Sequence, residues 1–520
     1  MRLLLRCDAG PSTGVGHAVR CAAVAEAAGL SGHEVFWSGR LDGLGWLWDG
    51  LLQLGWSTDP RTSPAPEPGP PGTLLAPADT AAELARLCRT HRIDAVHVDH
   101  YLLGTDLRAA LGAEGVTLST VEDFGTGRRP GDLVVDPNLG ADGHPRPDDG
   151  SPALLRGPGF APLRHSARRA RRIREIRDRT PAPDRVPAVL VVMGGTDAAG
   201  LLGPVVTALA GTGVAAAVDV VVPAGRSVTL PDDGPVRFRA VAPLPDLPAA
   251  MAEADLVVSA AGTTVWELCC VAVPMALLRA ADNQTEGYRT VVASGAAAGL
   301  GGPADLVDPG PATAVLHRLL TDPGARDALA ARAGAVVDGM GANRIVDAIA
   351  GSAGNPARDE IERDLLDGIL VSRDARTDDA ELLLRWRNDP ETRRRSRSRT
   401  EITLDDHRRW LTASLARDDR RLLVVDDVTG PVGTVRWDLD DGAWEVSITV
   451  APERRGARLA LPLLLEGERA LRAVTGPGTP VTAVVHAENT ASARLFARAG
   501  YADDGTGPDP DGFHTLRRVL

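Results

Sequence analysis

Residues 3–21 read LLLRCDAGPSTGVGHAVRC, and this stretch decides the fold of the N-terminal half. Three leucines predict a buried strand, a glycine-rich turn ends it, and the alanine-rich run after His17 predicts a helix. Where a parallel strand turns into a helix, the free backbone N–H groups and the helix dipole favour an anion. Gly14 and Gly16 therefore predict a phosphate site, with His17 in the first turn of the helix.

The alternation of short apolar runs with helical stretches continues along the chain. The strand-like runs are HEVFWSG (33–39), IDAVHVDHY (93–101), VTLSTVEDF (116–124) and DLVVDPN (132–138). A second set begins with AVLVVMGGTD (188–197) and includes ADLVVSAAG (254–262). The pattern predicts two α/β domains with parallel sheets, over residues 1–180 and 186–351, and a ligand cleft between them.

The pattern changes after SAGNPARDE (352–360), a stretch of small and polar residues that we expect to belong to a linker over 352–366. The rest of the chain, 367–520, combines helices with three runs typical of antiparallel strands. These are RLLVVDD (421–427), VGTVRWDL (432–439) and WEVSITV (444–450). The predicted fold class is therefore α/β for the first two domains, followed by an α+β domain.

Composition argues against several classes of protein. The net charge of −12 disfavours nucleic-acid binding, because phosphate backbones are held by clustered positive charge. All 57 residues counted as lysine or arginine are arginine, which excludes Schiff-base and P-loop lysine chemistry. The five cysteines have no CxxC spacing, so we expect reduced thiols and no metal. No run reaches the ~18 apolar residues of a membrane span, which predicts a cytoplasmic protein that does not bind a membrane. The arginine-rich stretch 164–179 is more typical of a solvated helix than of an anion site.

The second α/β domain repeats the glycine-rich turn twice. One turn follows the strand at 188–192 and the other opens a helix after the strand at 254–260. Both predict backbone donors for a phosphate, with hydroxyl groups beside them. The residues are Gly194, Gly195 and Thr196 in the first turn, and Gly262, Thr263 and Thr264 in the second.

Polar side chains at other strand ends complete the predicted cleft. Glu267 lies one turn into the second helix, where a carboxylate can accept both ribose hydroxyls. Asn283 and Gln284 follow a further strand, at the edge where open α/β sheets bind ligands, and amides suit the hydroxyls of a sugar. Asp99 and Tyr101 stand at a strand end of the first domain.

The motifs of these domains are RCDAGPSTGVGHAVRC, VDHYLLG, LLRGPGFAPLR, VMGGTD, AAGTTVWELCCVAVP and ADNQ. Over residues 1 to about 350 they resemble the UDP-2,4-diacetamido-2,4,6-trideoxy-β-L-altropyranose hydrolases of pseudaminic acid synthesis. That family is similar to the N-acetylglucosaminyltransferase of peptidoglycan synthesis, which has the glycosyltransferase-B fold and a UDP site in its C-terminal domain. The resemblance implies the same two-domain fold.

The resemblance also implies roles for individual residues. His17 would be catalytic, and Asp99 and Tyr101 match positions in the family's cleft. Imidazole exchanges protons near neutral pH, and a positioned base typically contributes about 10² to 10⁴ in rate. The implied UDP contacts are Gly262, Thr263, Thr264 and Glu267, and the implied sugar contacts are Asn283 and Gln284.

The α+β region contains WEVSITVAPERRGARLALPLLLEGERAL (444–471) and HAENTASARLFARAGY (486–501). With LLLRWRNDPETRR (382–394) and DDHRRWL (405–411), these motifs resemble the Gcn5-related N-acetyltransferases over residues 370–520. Glu445 is our candidate base. Two positions depart from the family, because Arg458 replaces the second turn glycine and Phe496 the tyrosine often used as general acid. The implied acetyl-CoA contacts are Val450, Arg455, Gly456, Ala457, Arg458, Ala460, Asn489 and Ser492.

Together the resemblances predict a bifunctional enzyme. It would N-acetylate a UDP-amino-deoxysugar, with acetyl-CoA as co-substrate, and hydrolyse the product to UDP and a free diacetamido sugar. Two alternatives remain open. In one, the first module is a UDP-sugar-dependent glycosyltransferase, in which an acceptor replaces water. In the other, one module is not catalytic and only binds.

Overall fold

The structure is a computed structural model that describes residues 1–10, 15–41, 70–178, 186–244, 246–352, 354–394, 400–503, 505, 507–510 and 512–520. The chain forms two compact units. Of the described residues, the first contains 1–174 and those between 186 and 366 and holds both α/β domains, and the second contains 175–178 and those from 367 to 520. Each unit has its own apolar core.

The first α/β domain is built on a seven-stranded parallel sheet. Its strands are β1 Arg2–Arg6, β2 Glu34–Ser38, β3 Leu74–Leu75, β4 Ala95–Val98, β5 Thr117–Val121, β6 Leu133–Asp136 and β7 Ala153–Arg156. Its helices are α1 Gly16–Leu30, α2 Ala81–His91 and α3 Leu107–Gly112, and α4 His165–Asp178 follows the sheet. The strand order β3-β2-β1-β4-β5-β6-β7 brings the ends of β1, β4 and β5 together beside α1.

The second α/β domain repeats this topology on six parallel strands. They are β8 Ala188–Val192, β9 Ala216–Val221, β10 Val236–Val241, β11 Leu256–Ala260, β12 Met275–Leu278 and β13 Ala298–Gly299, in the order β10-β9-β8-β11-β12-β13. The helices are α5 Leu202–Ala210, α6 Leu247–Glu253, α7 Thr264–Val271, α8 Thr285–Ala293, α9 Gly310–Thr321, α10 Pro323–Gly334, α11 Gly341–Ala350 and α12 Pro356–Asp367. Two Rossmann-like sheets in series confirm the expected glycosyltransferase-B-like fold.

Two helices cross between these domains, which the sequence did not predict. Ala167 and Ala170 of α4 belong to the core of the second domain, whereas Ile345 and Val346 of α11 pack into the core of the first. The crossings meet where α11 begins, since a Cβ atom on Gly341 would lie 2.1 Å from the carbonyl oxygen of Ala161. The predicted boundaries at 180 and 186 therefore give the order of the domains along the sequence. The core of each domain, however, also contains residues of a helix from the other domain's range.

The arginines of α4 contact other parts of the first unit, whereas we expected the stretch 164–179 to be a solvated helix. Arg171 Nη1 donates to the carbonyl oxygen of Gly334 at 3.2 Å, and Arg174 Nη1 donates to that of Ala254 at 2.7 Å. Carbonyl groups near helix ends need such donors. Arg168 forms an ion pair of 2.6 Å with Glu362. These arginines hold the second domain and α12 to the helix.

The segment that we expected to be a linker, 352–366, includes most of α12. Arg358 is buried and makes two hydrogen bonds to Asp347, at 2.9 and 3.0 Å, and Glu362 accepts one from Asn343 Nδ2 at 2.9 Å. These contacts attach α12 to the first unit. A composition of small and polar residues did not reveal them.

The second unit has a mixed seven-stranded sheet. Its strands are β14 Val371–Asp374, β15 Arg420–Asp427, β16 Gly430–Asp440, β17 Ala443–Val450, β18 Pro480–His486, β19 Ala502–Asp503 and β20 Phe513–Val519, in the order β14-β15-β16-β17-β18-β20-β19. Its helices are α13 Ala380–Asn388, α14 Pro390–Arg394, α15 Leu404–Leu415, α16 Ala460–Thr475 and α17 Thr490–Arg498. Residues of α16 and α17 pack on one face of the sheet, and residues of α13 and α15 on the other. The predicted α+β domain is confirmed.

Every helix in the described ranges is too short or too polar to cross a membrane. All five cysteines are buried and free. Among the described residues, no three histidine, cysteine, aspartate or glutamate side chains are grouped closely enough to hold a metal ion.

Candidate active sites

His17 and Asp99 form a hydrogen-bonded pair in the first domain. His17 is the second residue of α1, and its Nδ1 lies 2.6 Å from Asp99 Oδ1. Burial alone would raise the pKa of Asp99, but the charges of Arg20 and His17 and their hydrogen bonds outweigh it, so its pKa is well below the usual range. The carboxylate therefore accepts the Nδ1 proton, which leaves Nε2 of His17 as the nitrogen that can take up a proton.

Arg20, one helical turn after His17, joins two carboxylates. Its Nε and Nη2 donate to Asp99 at 2.6 and 2.7 Å, and its Nη1 lies 3.0 and 3.1 Å from the two oxygens of Asp123. Nη2 is also 3.0 Å from His17 Nδ1, but that nitrogen carries its proton toward Asp99 and cannot accept a second one. Although burial opposes its charge, the two aspartates hold the pKa of Arg20 above its ordinary value.

Asp123 extends this network to two other polar side chains. It accepts hydrogen bonds from the hydroxyl of Tyr101 and from Asn138 Nδ2, the latter at 3.1 Å. Burial, and then the charge of Asp123, raises the pKa of Tyr101, so its hydroxyl keeps its proton. The Tyr101 ring meets the His17 ring edge to face, with centroids 4.5 Å apart. Four donor groups of the first domain are thus fixed around two aspartates.

The predicted glycine-rich turns of the two domains meet. A Cβ on Gly16 would lie 3.3 Å from two atoms of Thr263, and a Cβ on Gly195 would lie 3.4 Å from Val15. Gly194 has a φ of +74°, which glycine adopts without strain. Thr196, which follows these glycines, is half-buried, and Gly14 lies outside the described residues. The described turns therefore converge on the start of α1.

A cavity of about 120 Å³ lies between the two α/β domains of the first unit. Tyr101, Asp123 and Asn138 form part of its wall from the first domain. The second domain contributes Gly262, Thr263, Trp266, Asn283 and Gln284. In the described part of the chain His17 is outside this wall and reaches it through Tyr101. Five of the predicted site residues, Tyr101, Gly262, Thr263, Asn283 and Gln284, are thus brought to one cavity.

Other predicted residues of the second domain have specific surroundings. Thr264 is the first residue of α7, and Thr263 before it makes no side-chain cap to the helix. Glu267 is 8% exposed in the first turn of α7 but is not part of the cavity wall. Burial raises its pKa to about 7, with a smaller opposing effect of Arg164. Gln284 Oε1 accepts a hydrogen bond of 2.9 Å from the amide of Ala280, which fixes its side chain.

In the second unit, β17 and β18 diverge. The two parallel strands are paired only over Trp444–Val446 and Val481–Ala483. Beyond Val446, β17 stays paired with β16 as far as Val450, and β18 stays paired with β20. The backbone of the last residues of β17 therefore faces an opening rather than a neighbouring strand, and Val450 stands at its end.

The basic turn between β17 and α16 is held by acidic residues. Arg454 is bound by Asp427 and by Thr429, whose hydroxyl lies 2.6 Å from Nη1. Arg455 forms an ion pair of 2.8 Å with Asp389, and its Nη2 donates to a threonine hydroxyl at 2.7 Å. Arg458 is exposed and has a φ of +58°, in the left-handed region that favours glycine.

The remaining residues of this turn follow the same backbone path. Gly456 has a φ of +86°. Ala457 is exposed, and Ala460 is the first residue of α16, which has no side-chain cap at its N-terminus. This combination leaves backbone N–H groups of the turn and the first helical turn for a ligand.

Four further residues that the sequence analysis singled out lie on β17, on α17 or at the cap of α17. Asn489 caps α17, because its Oδ1 accepts a hydrogen bond of 3.2 Å from the amide of Ser492. Glu445 is half-buried opposite Asp438 on β16, and since side chains alternate along a strand it faces away from Val446, which packs in the core with α16. Phe496 is buried in that core. The acetyl-CoA roles of these residues stay predictions.

Sequence reasoning gave no role to Arg20, Asp123, Asn138 or Trp266. Arg20 lies three residues after His17, so the two share a helix face, which was the available signal. Asp123 and Asn138 follow β5 and β6, at the ligand edge of the sheet. The stretches that contain them were known, but their convergence required the fold.

Comparison with known proteins adds to this geometry. The family model described as acetyltransferase (GNAT) domain matches residues 370–502. A spermidine N-acetyltransferase from Vibrio cholerae in complex with CoA and spermine is 16% identical, covering 29% of this chain and 94% of that chain, with a TM-score of 0.26. Aminoglycoside acetyltransferase AAC(6')-Ib in complex with coenzyme A is 18% identical, covering 29% of this chain and 95% of that chain, with a TM-score of 0.26.

The first unit is similar to a different structure. MurG from Acinetobacter baumannii is 18% identical, covering 67% of this chain and 99% of that chain, with a TM-score of 0.45. No curated protein sequence matches the chain. By the family match, residues 370–502 form an acetyltransferase domain of the GNAT family.

Proposed function

We propose that the chain is a bifunctional enzyme of nucleotide-sugar metabolism. The first unit hydrolyses a UDP-sugar between the anomeric carbon and the diphosphate. The second transfers the acetyl group of acetyl-CoA to an amine of that sugar. The observation that carries the proposal is the His17–Asp99 pair, next to a cavity whose wall comes from both α/β domains.

The nucleotide would bind to the second domain. The N-terminal turn of α7, with Gly262 and Thr263 in the cavity wall, offers backbone donors to the diphosphate. Glu267, in the same turn, would accept the two ribose hydroxyls. Asn283 and Gln284 are amides in the same wall and would face the sugar. Gly16 and Gly195 allow the turns of the two domains to approach each other beside this helix.

The hydrolytic step would use His17 as general base. Nε2 takes a proton from water as the water oxygen bonds to the anomeric carbon, and the bond from that carbon to the diphosphate oxygen breaks. The electron pair of that bond leaves with UDP, whose charge the helix N-terminus stabilises. Asp99 accepts the hydrogen bond from the Nδ1 proton, which keeps that proton on Nδ1 and leaves Nε2 to act as the base. The carboxylate also stabilises the imidazolium that forms.

The acetyl transfer would take place where β17 and β18 diverge. The pantetheine would lie along the unpaired backbone near Val450, and the pyrophosphate at the turn that ends with Ala460. Glu445 would take a proton from the substrate ammonium, and the amine would then attack the thioester carbonyl. The CoA thiolate leaves. Phe496 offers no hydroxyl, so the thiolate must be protonated by water or by another group.

The order of the steps is taken from the pathway that the sequence resembles. In pseudaminic-acid-type routes the amine is acetylated while UDP is still attached, so we place acetylation of the UDP-amino-sugar before hydrolysis. A UDP-4-amino-sugar incubated with the full chain should release UDP and diacetamido sugar only when acetyl-CoA is present, as followed by mass spectrometry.

The other outcomes distinguish the alternatives. UDP release that requires an added alcohol or amine acceptor would assign a glycosyltransferase to the first unit. UDP release without acetylated product would make the second unit a binding module. His17→Ala should lower the rate of UDP release by about 10² to 10⁴ while UDP still binds; an unchanged rate would remove His17 from the mechanism.

A further inference from the structure

Arg20 is a buried cation that contacts both α/β domains. The residue is 2% exposed, and its side chain binds Asp99 and Asp123 of the first domain. Its guanidinium carbon also lies 5.8 Å from the centroid of the Trp266 ring, on α7 of the second domain. That distance is within the range of a cation–π contact.

Each partner of Arg20 belongs to a different part of the candidate site. Asp99 holds the catalytic imidazole. Asp123 holds Tyr101 and Asn138, which form the cavity wall of the first domain. Trp266 lies one turn after Thr263, on the helix whose N-terminus faces the cavity. One guanidinium therefore connects the base, the sugar-side wall and the nucleotide-binding helix.

We propose that Arg20 is a positioning residue that couples nucleotide binding on α7 to the orientation of His17, acting through Asp99, Asp123 and Trp266. This inference rests on the proposed hydrolase function. A ligand that fixes the first turn of α7 also fixes Trp266 above the guanidinium, and the guanidinium in turn fixes both carboxylates. Arg20 is not part of the cavity wall, so it would act through its partners and not on the water or the sugar directly.

Arg20 also places a positive charge beside His17, since its Nη2 lies 3.0 Å from His17 Nδ1. Charges of the same sign this close disfavour each other. Other groups around the pair keep one charge state near neutral pH: burial raises the pKa of Cys21 and lowers that of His97 to about 4. Among the described residues, the titratable and charged groups that face Arg20, His17 or Asp99 are Cys7, Cys21, His97, Asp99, Tyr101, Asp123 and Arg129.

The test is the pH dependence of UDP release by the full chain, measured as kcat and kcat/KM. Arg20→Met should lower kcat by about 10²-fold, the cost of a small misplacement of a catalytic group, and move the acidic limb of the kcat/KM profile to higher pH. Asp123→Asn should move that limb to lower pH, because it removes a negative charge. Arg20→Lys should restore the limb but not kcat, since an ammonium cannot bridge both carboxylates.

Arg358 supplies the matched control. It is also 2% exposed and also binds two carboxylates, Asp347 and Asp359, in the same unit. Arg358→Met should lower the stability of the unit and leave the pH profile unchanged. Every variant should still bind UDP in calorimetry. A variant that binds UDP is folded, so a lower kcat in that variant reflects the loss of positioning and not misfolding.

The two hypotheses fail in different ways. If the wild-type chain releases no UDP from a UDP-sugar, the proposed function fails. If it does so and His17→Ala lowers the rate of release by about 10² to 10⁴, but Arg20→Met and Asp123→Asn shift the acidic limb in the same direction or not at all, the positioning role of Arg20 is overturned. A kcat of Arg20→Met equal to that of the wild type would also overturn it.

Discussion

The affinity of the first unit for a UDP-sugar should depend on pH through Glu267. This carboxyl group is 8% exposed, and burial raises its pKa from 4.5 to about 7. The nearby Arg164 lowers the pKa by less than burial raises it, and Asp246 adds to the rise. If the ionised carboxylate accepts both ribose hydroxyls, binding has to remove the proton from Glu267 at any pH below about 7.

The size of the effect follows from the fraction of Glu267 that is ionised. The apparent dissociation constant is the intrinsic one divided by that fraction. With a pKa of about 7, binding is about 11-fold weaker at pH 6, about twofold weaker at pH 7 and nearly unaffected at pH 8. Between pH 8 and pH 6 the affinity should therefore fall about tenfold, or about 1.4 kcal/mol.

Isothermal titration calorimetry with UDP-N-acetylglucosamine measures this dependence. The diphosphate of this ligand does not change its charge between pH 6 and pH 8, so a change in affinity reports on the protein. A His17→Ala background prevents turnover. Glu267→Gln should bind more weakly at pH 8 and show no pH dependence. Glu286→Gln, at an exposed position in the first turn of α8, should behave like the parent. A flat affinity between pH 6 and 8, or the same slope in Glu267→Gln, would refute the role of this carboxylate.

Three further substitutions test the backbone of the fold. Arg458→Gly should stabilise the second unit by about 0.5–1 kcal/mol, because glycine relieves the left-handed conformation at a smaller entropic cost, as measured by calorimetric unfolding. Gly341→Ala should destabilise the first unit by about 2–3 kcal/mol, since its Cβ would lie 2.1 Å from the backbone oxygen of Ala161, as measured by urea unfolding. Thr80→Ala should cost about 1 kcal/mol, because it removes the capping box with Glu83 at the start of α2, measured in the same way.

Matched variants separate these effects from general damage. Arg458→Lys keeps the side-chain charge and the strain, so its stability should stay at the wild-type value. Gly112→Ala places a Cβ where no atom lies within 4 Å and should not destabilise the fold. Thr80→Ser retains the capping hydroxyl. Equal losses in a variant and its control would contradict the specific reason given for that variant.

The fold was predictable where local pattern and sheet topology agree. Apolar strands followed by glycine-rich turns identified both parallel sheets. The structure places Arg458, which replaces a glycine of the family, in the left-handed region, a conformation that the sequence analysis did not predict. The crossing of α4 and α11 was not predictable, because Ala167 and Ile345 would look the same in the core of either domain. A helical pattern tells which face is buried but not against which neighbour.

The candidate site was predictable in part for a similar reason. Asn283 and Gln284 could be placed because strand ends of an open α/β sheet meet at one edge. Arg20 could not, because an arginine on a helix is usually exposed, and its burial depends on two aspartates from strands far along the chain. The spacing of Arg20 from His17 places both on one helix face, but the aspartates that complete the network are brought there by the sheet topology.

The crossing helices also limit how the first unit can move. The chain passes from the first domain to the second near Ala161 and returns at Gly341, and these two passages touch each other. Because the two passages are in contact, we expect any relative movement of the two domains to be a rotation about Ala161 and Gly341, with the sheet ends farthest from this contact moving most.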